Sequence, residues 1–334
     1  MSGKMFQTAA REWLQIRRND TGLRPRTHQT NEGYVQALNR FFGEMDTGAI
    51  QAHDVRRYQL ERLDNPITIA GVCRWKRKAT ASTVNHELSA FAQIMRAAHQ
   101  WPRLASYVFP LPVPGWSPRE ILSEEEEEHL FRIAAGSPEA SLAYMVASIT
   151  NNTTAAGSEL RLLRLKHLFL DARNIPEIYI PPEAVKNGSR PRKIPLNATA
   201  LWAVQQCYRR ALDLGATEAD HFLFPFRRKR NCYDPSRAAS PWFLRKSWEC
   251  LRRISGFAHL NPHDLRHLCI TRMLENGVVP ETVRAIAGHV GAKMMEYYSH
   301  HRARVKYDAL RLLDRKPVAS APAPRSSTET QHYR

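Results

Sequence analysis

Between Phe109 and Pro118 the chain reads FPLPVPGWSP, with four prolines in ten positions. A helix cannot pass through that spacing. Each proline lacks an amide donor and fixes its own φ, and the residue before it is pushed toward extended backbone. The stretch predicts a stiff linker over residues 106–120, and it divides the 334 residues into two parts that are each long enough to bury a core.

Upstream, in residues 1–105, the segments FQTAAREWLQIRR, THQTNEGYVQALNRFFGEM, AHDVRRYQLERL and ASTVNHELSAFAQIMRAAHQ carry apolar residues at three- and four-residue spacing. They predict a four-helix domain. Between the last two helices lies RWKRK, with Arg74, Lys76, Arg77 and Lys78 around one tryptophan. Such a run either grips phosphates or forms an ordinary solvated loop.

Downstream, over residues 121–316, Ser123 and Glu126 in SEEEEEH form a capping box, so the acidic run opens a helix at the positive end of its dipole. A second helix is expected around Leu142 to Thr150. Short apolar runs then alternate with turn signals, and Asn187-Gly188 predicts a hairpin with Lys186 at its tip, between EAV and the strand RKIPL. Helices are expected again from Ala198 onward, and residues 317–334 have the composition of a disordered tail. The expected fold is mainly α with a small antiparallel β-sheet, in two domains.

Lys plus Arg number 49 against 32 Asp plus Glu, a formal charge of +17, which points to a polyanionic partner. No apolar run is long enough to span a bilayer, and the first twenty residues lack a signal-peptide core, so a cytoplasmic protein with no membrane partner is expected. Five scattered cysteines without a C-x-x-C pair read as buried free thiols, and no carboxylate cluster suggests a metal.

The chemistry gathers in NPHDLRHLCITRML. Asn261 can cap, Pro262 suits the first helical position, and on the helical wheel Arg266 falls inside the apolar arc beside Cys269, Ile270 and Met273. His263 lies one turn back, while Asp264, His267, Thr271 and Glu275 take the outer arc. An arginine turned inward needs a carboxylate or a phosphate. Downstream, GVVPETVRAIAGHV predicts a short helix stopped at Gly288, delivering His289 from its end, and Tyr297 and Tyr298 follow. Two histidines, an inward arginine, a hairpin lysine and a tyrosine suit metal-free attack on a phosphodiester.

HDLRH, then GH, then YSH, after a lysine-tipped hairpin, resemble the tyrosine recombinases of the phage integrase family. The resemblance extends over nearly the whole chain: the four helices look like a core-binding domain, ILSEEEEEHLFRIAA like the opening of a catalytic domain, and SELRLLRLKHLFLD like its first conserved box. It implies two domains that clamp double-stranded DNA and a 3′-phosphotyrosyl intermediate used for integration or excision. It also implies no cofactor, assembly into a tetramer on DNA, and accessory DNA-bending proteins as possible partners. Carried across, Lys186 is the general acid, His263 and Arg266 bind or shuttle protons at the scissile phosphate, and His289 hydrogen-bonds it. The nucleophile precedes Ser-His, which selects Tyr298 and leaves Tyr297 for packing. Arg227, Arg228, Lys229 and Arg230 form a second basic run expected on the DNA-facing surface.

One position departs from the pattern. The first box reads approximately T-G-x-R-x-x-E-L, and alignment on Glu159 and Leu160 puts Ala156 where the arginine belongs. Arg161 lies about 140° around a helix from it and Arg164 two turns away, so neither is an obvious stand-in. Three readings stay open: a recombinase lacking one catalytic arginine, a recombinase-like protein that binds DNA without cutting, and a nicking-closing topoisomerase.

Overall fold

The structure is a computed structural model that describes residues 3–23, 25–64, 68–69, 72–73, 79–113, 122–171, 173–185, 191–288 and 311. The chain forms two compact units, Met1–Ser117 and Pro118–Arg334.

The N-terminal unit is built on α1 (Phe6–Arg18), α2 (Pro25–Phe42), α3 (Ala52–Asp64) and α4 (Ala81–Ala97), with the short strands β1 (Thr68–Ile69) and β2 (Val72–Cys73) between the last two helices. Phe6, Ala9, Ala10 and Trp13 bury one face of α1, as their spacing requires. Phe6, Phe42, Tyr58 and Phe91 meet at the centre, with Phe42 and Phe91 ring centroids 4.9 Å apart. Burying each ring contributes on the order of 2–3 kcal/mol. α4 starts where the Thr80 hydroxyl accepts from the Thr83 amide.

This apolar centre encloses a charged pair, Arg62 and Glu87. Glu87 accepts from Arg62 Nη2 at 2.8 Å and Nε at 3.1 Å, and from the Tyr58 hydroxyl at 2.7 Å, all buried. The set ties α3 to α4. The proline-rich tract begins attached to this unit: Asn85 exchanges two hydrogen bonds with the Leu111 backbone, Gln59 donates to Phe109 O, and the Leu111 side chain is buried. Residues 106–111 are thus strapped to the helices, because the peptide groups exposed by the prolines find side-chain partners there.

The second unit opens with α5 (Glu124–Ala135), where the predicted capping box is present: Ser123 N–H donates to Glu126 at 2.8 Å and Ser123 Oγ accepts from Glu126 N–H. It continues through α6 (Ser141–Thr153), the single-turn α7 (Gly157–Leu160), strands β3 (Leu168–Phe169), β4 (Glu177–Ile180) and β5 (Arg192–Pro195), and α8 (Ala198–Asp213). It then closes with β6 (Pro225–Lys229), β7 (Cys232–Ala238), α9 (Arg245–Ser255), α10 (Pro262–Glu275) and α11 (Pro280–Ala287). β3, β4 and β5 form an antiparallel sheet in which Ile178 pairs with Ile194 and Ile180 with Arg192. Helix α6 packs against α8 on one side and α10 on another.

Several expectations are corrected. The strand facing Arg192–Pro195 is Glu177–Ile180, while Pro181–Ala184 turns and buries Ala184 and Val185; the connection is longer than a two-residue Asn-Gly turn. Lys186, Asn187 and Gly188 lie outside the described residues. Helices do not continue unbroken from Ala198, because Pro225–Ala238 folds as a hairpin that turns at Arg230-Asn231, with Asn231 at φ +56°. α10 has no outer arc at Thr271, which is buried: Leu265 and Leu268 pack with Leu130, Trp248 and Leu251, while Ile270 and Leu274 pack with Val283 and Ala287. Of the cysteines whose side chains are described, Cys207 and Cys269 are buried thiols, pushed up to about 12 and about 11 by burial, but Cys232 and Cys250 are only half-buried. Among the described residues no helix is long and apolar enough to cross a membrane.

Breaking the Arg62–Glu87 pair leaves a buried charge without its partner. Glu87→Gln is therefore expected to destabilise the N-terminal unit by about 3–5 kcal/mol. Urea-dependent hydrogen exchange on α3 and α4 peptides measures it, and an unchanged midpoint would refute the role given to this pair.

Candidate active site

The site grows from the end of α6. There Thr154 takes the left-handed conformation, φ +60°, and is fully buried. A β-branched residue adopts that conformation at a cost of about 1–2 kcal/mol, and in the first-box pattern this is the position of the glycine. The turn is held by Thr150 Oγ1 donating to Ala155 O at 3.0 Å and Thr153 Oγ1 donating to Ile149 O at 2.6 Å. Ala156 follows at φ −73°, ψ 149°, an extended backbone that any residue adopts, and serves as the N-cap of α7.

Glu159, in the first turn of α7, is the hub. Its carboxylate accepts the Ala156 amide at 2.9 Å and two parallel bonds from Arg192, Nη1 at 2.9 Å and Nη2 at 3.0 Å. Arg266 Nη1 lies 3.7 Å away. Arg192 was not among the residues expected here. The signal was available: in RKIPL, strand alternation puts residue 192 on the face of Ile194 and Leu196, and all three are buried.

Arg266 is buried, as the helical wheel requires, but its nearest partners are backbone carbonyls. Nη1 donates to Thr154 O at 2.5 Å and Nη2 to Ala287 O at 2.6 Å. Arg192 Nε donates to Ile286 O at 2.7 Å. Two guanidiniums thus take the final carbonyls of α11, where the helix dipole is negative. Gly288 ends that helix at φ +78°, and a Cβ there would stand 2.9 Å from Arg192 Nη1, so both backbone and space demand glycine.

His263 stands exposed in the first turn of α10, its ring 4.6 Å from that of His267 and edge to face. At the helix start, Asp264 accepts the Asn261 amide at 2.8 Å. Partial desolvation, then the Arg266 charge, lower the His263 pKa; Asp264 and Glu159 oppose this less strongly. At neutral pH the imidazole is uncharged and can take a proton.

The structure therefore brings together Ala156, Glu159, Arg192, His263 and Arg266. Lys186, His289, Tyr297 and Tyr298 lie outside the described residues, as do Arg74, Lys76, Arg77 and Lys78. Arg227, Arg228, Lys229 and Arg230 form the exposed tip of the β6–β7 hairpin. Arg228 is paired at 2.7 Å with Asp234, whose carboxyl is held at about 2 by the Ser236 hydroxyl and by Arg228.

The phage integrase family model matches residues 120–304, more than half of the chain, and the chain belongs to that family. It is 24% identical over 308 residues to tyrosine recombinase XerC of Bacillus pumilus, covering 90% of this chain and 92% of that one. It is also 28% identical over 155 residues to XerC of Histophilus somni, where the match spans 49% of the relative's length. The fold is similar to that of the Tn1549 transposon integrase solved with circular intermediate DNA, with a TM-score of 0.66 at 19% identity over 91% of this chain and 99% of that one. A lambda integrase tetramer bound to a Holliday junction gives 0.61 at 14% identity over 86% and 78%.

A depressed His263 pKa has a definite sign. The folded state disfavours the proton, so this contribution to stability is complete above the unfolded value of about 6.5 and is lost as pH falls toward the lower folded value. NMR titration is expected to give a His263 midpoint below 6.5, and His263→Gln should flatten the fall in stability below that pH. A midpoint above 6.5 would overturn the assignment.

Proposed function

We propose that this chain is a site-specific DNA recombinase of the tyrosine type, acting on double-stranded DNA in the cytoplasm and assembling as a multimer on it. Family membership supports the reaction class, and relatives solved on DNA and as a tetramer support the partners. The observation that carries the reading is the Glu159 hub, which holds Arg266 beside His263 and at the end of α11, the helix that leads into GH and YSH.

In this reading Tyr298 Oη attacks the scissile phosphorus, giving up its proton to neutral His263 or to water. Arg266 and His289 hold the non-bridging oxygens, and Lys186 protonates the leaving 5′-oxygen. The phosphorus–oxygen bond that breaks is replaced by a 3′-phosphotyrosyl bond, so no nucleotide cofactor is consumed. The basic hairpin tip, Arg227–Arg230, and the run Arg74–Lys78 contribute phosphate contacts that position the duplex.

Ala156 favours a second reading, in which the chain binds its sites and cuts them slowly or not at all. A methyl group cannot donate to a phosphate, and loss of one preorganised donor costs about a hundred- to a thousandfold in rate. The two readings separate experimentally. The extended backbone at Ala156 accommodates arginine. Ala156→Arg is therefore expected to raise single-turnover cleavage about a hundredfold or more with little change in affinity, measured on a nicked suicide duplex built on the sequence the chain selects from a random library. In that background Tyr298→Phe should abolish the covalent adduct and Tyr297→Phe should retain it. An inert arginine variant would leave the DNA-binding reading in place of the enzyme.

A further inference from the structure

Among the described residues of the second unit, Arg161 differs in setting from the arginines around the Glu159 site. Arg192 and Arg266 have Glu159, and Arg272 has Glu127. Arg161 is half-buried, and among the described residues no carboxylate pairs with it. Its hydrogen bond is to a neutral group: Nη1 donates to Ala239 O at 2.8 Å. Stripped of part of its water without a counter-charge, the guanidinium has a pKa below the ordinary arginine value, with burial as the cause. A guanidinium carries five donors, and a desolvated one calls for an anion.

Its location names the anion. Arg161 follows Gly157 by one helical turn, and the Arg161 amide bonds Gly157 O at 3.0 Å, so the two share a face of α7. A Cβ on Gly157 would lie 3.6 Å from Leu244, and Arg161 reaches Ala239: this face of α7 meets the 239–244 loop at both points. That loop holds the exposed Trp242, and exposed Arg237, Arg245 and Lys246 flank it. Glu159 and Arg161, two residues apart, point to opposite sides of α7. Arg161 therefore does not fill the place left by Ala156.

We propose that Arg161 is a phosphate-binding residue of this chain, contacting the DNA backbone at a phosphate other than the scissile one through donors that Ala239 does not use. The proposal rests on the DNA-binding reading above.

Fluorescence anisotropy of the full chain on a mixed-sequence duplex, titrated with salt, tests both separately. Arg161→Gln should weaken binding at low salt and reduce the slope of log K against log salt by about 0.9, the value for one phosphate, while Arg161→Lys keeps the slope. A parent slope left intact by Arg161→Gln overturns the proposal and spares the DNA reading. A parent without salt-dependent duplex binding overturns both. Because Arg161 also ties α7 to the Ala239 loop, a second measurement uses the unaltered protein. Duplex DNA should shield Arg161 from phenylglyoxal at low salt, read by peptide mass spectrometry, with reactivity returning when salt dissociates the complex. Equal reactivity with and without DNA refutes the contact.

Discussion

The second unit depends on a single buried carboxylate. Glu159 meets two guanidiniums and a backbone amide, and through them it connects the end of α6, the start of α7, strand β5, helix α10 and the last turn of α11. A buried ion pair adds little net stability, since desolvation consumes most of the Coulombic gain. Its contribution here is geometric. The Arg192 fork locked on Glu159, and the Arg266 fork locked on the carbonyls of Thr154 and Ala287 beside it, set the distance between elements that are far apart in sequence.

Helix α10 has the complementary role. It is packed on two sides, against α5 and α9 through Leu265 and Leu268, and against α11 through Ile270 and Leu274. A helix so enclosed cannot rotate to expose Arg266, and this rigidity lets a long side chain serve as a fixed electrostatic element. His263 keeps its exposure because it lies in the first turn, where the helix emerges from the core.

Much of this was legible in the sequence. The 3.6-residue period located the N-terminal helices, Ser123 and Glu126 located the start of α5, and the wheel of NPHDLRHLCITRML placed Arg266 inside. These are local signals, readable within a few turns. What escaped was set at a distance. Arg192 gives no sign of its partner because Glu159 is far away in sequence, and only the alternation of RKIPL hints that it faces inward. The β6–β7 hairpin was hidden by its charge, since an exposed two-stranded ribbon has no apolar face to reveal its period. The Asn-Gly dipeptide lies outside the described residues, and a turn signal does not say which strands it joins: Arg192–Pro195 pairs with Glu177–Ile180, so the segment EAV is not the facing strand.

The inventory of charge around Glu159 bears on what the chain stabilises. One carboxylate and two guanidiniums, with His263 neutral, sum to a single positive charge. A phosphodiester in its ground state carries one negative charge, and in-line attack by a tyrosinate oxygen adds a second. With alanine at position 156 the described cluster is balanced against the bound substrate and short by one charge against the transition state. Under the proposed recombinase reading the further positive charge would have to come from Lys186, outside the described residues, because only interactions that strengthen as the reaction proceeds accelerate it.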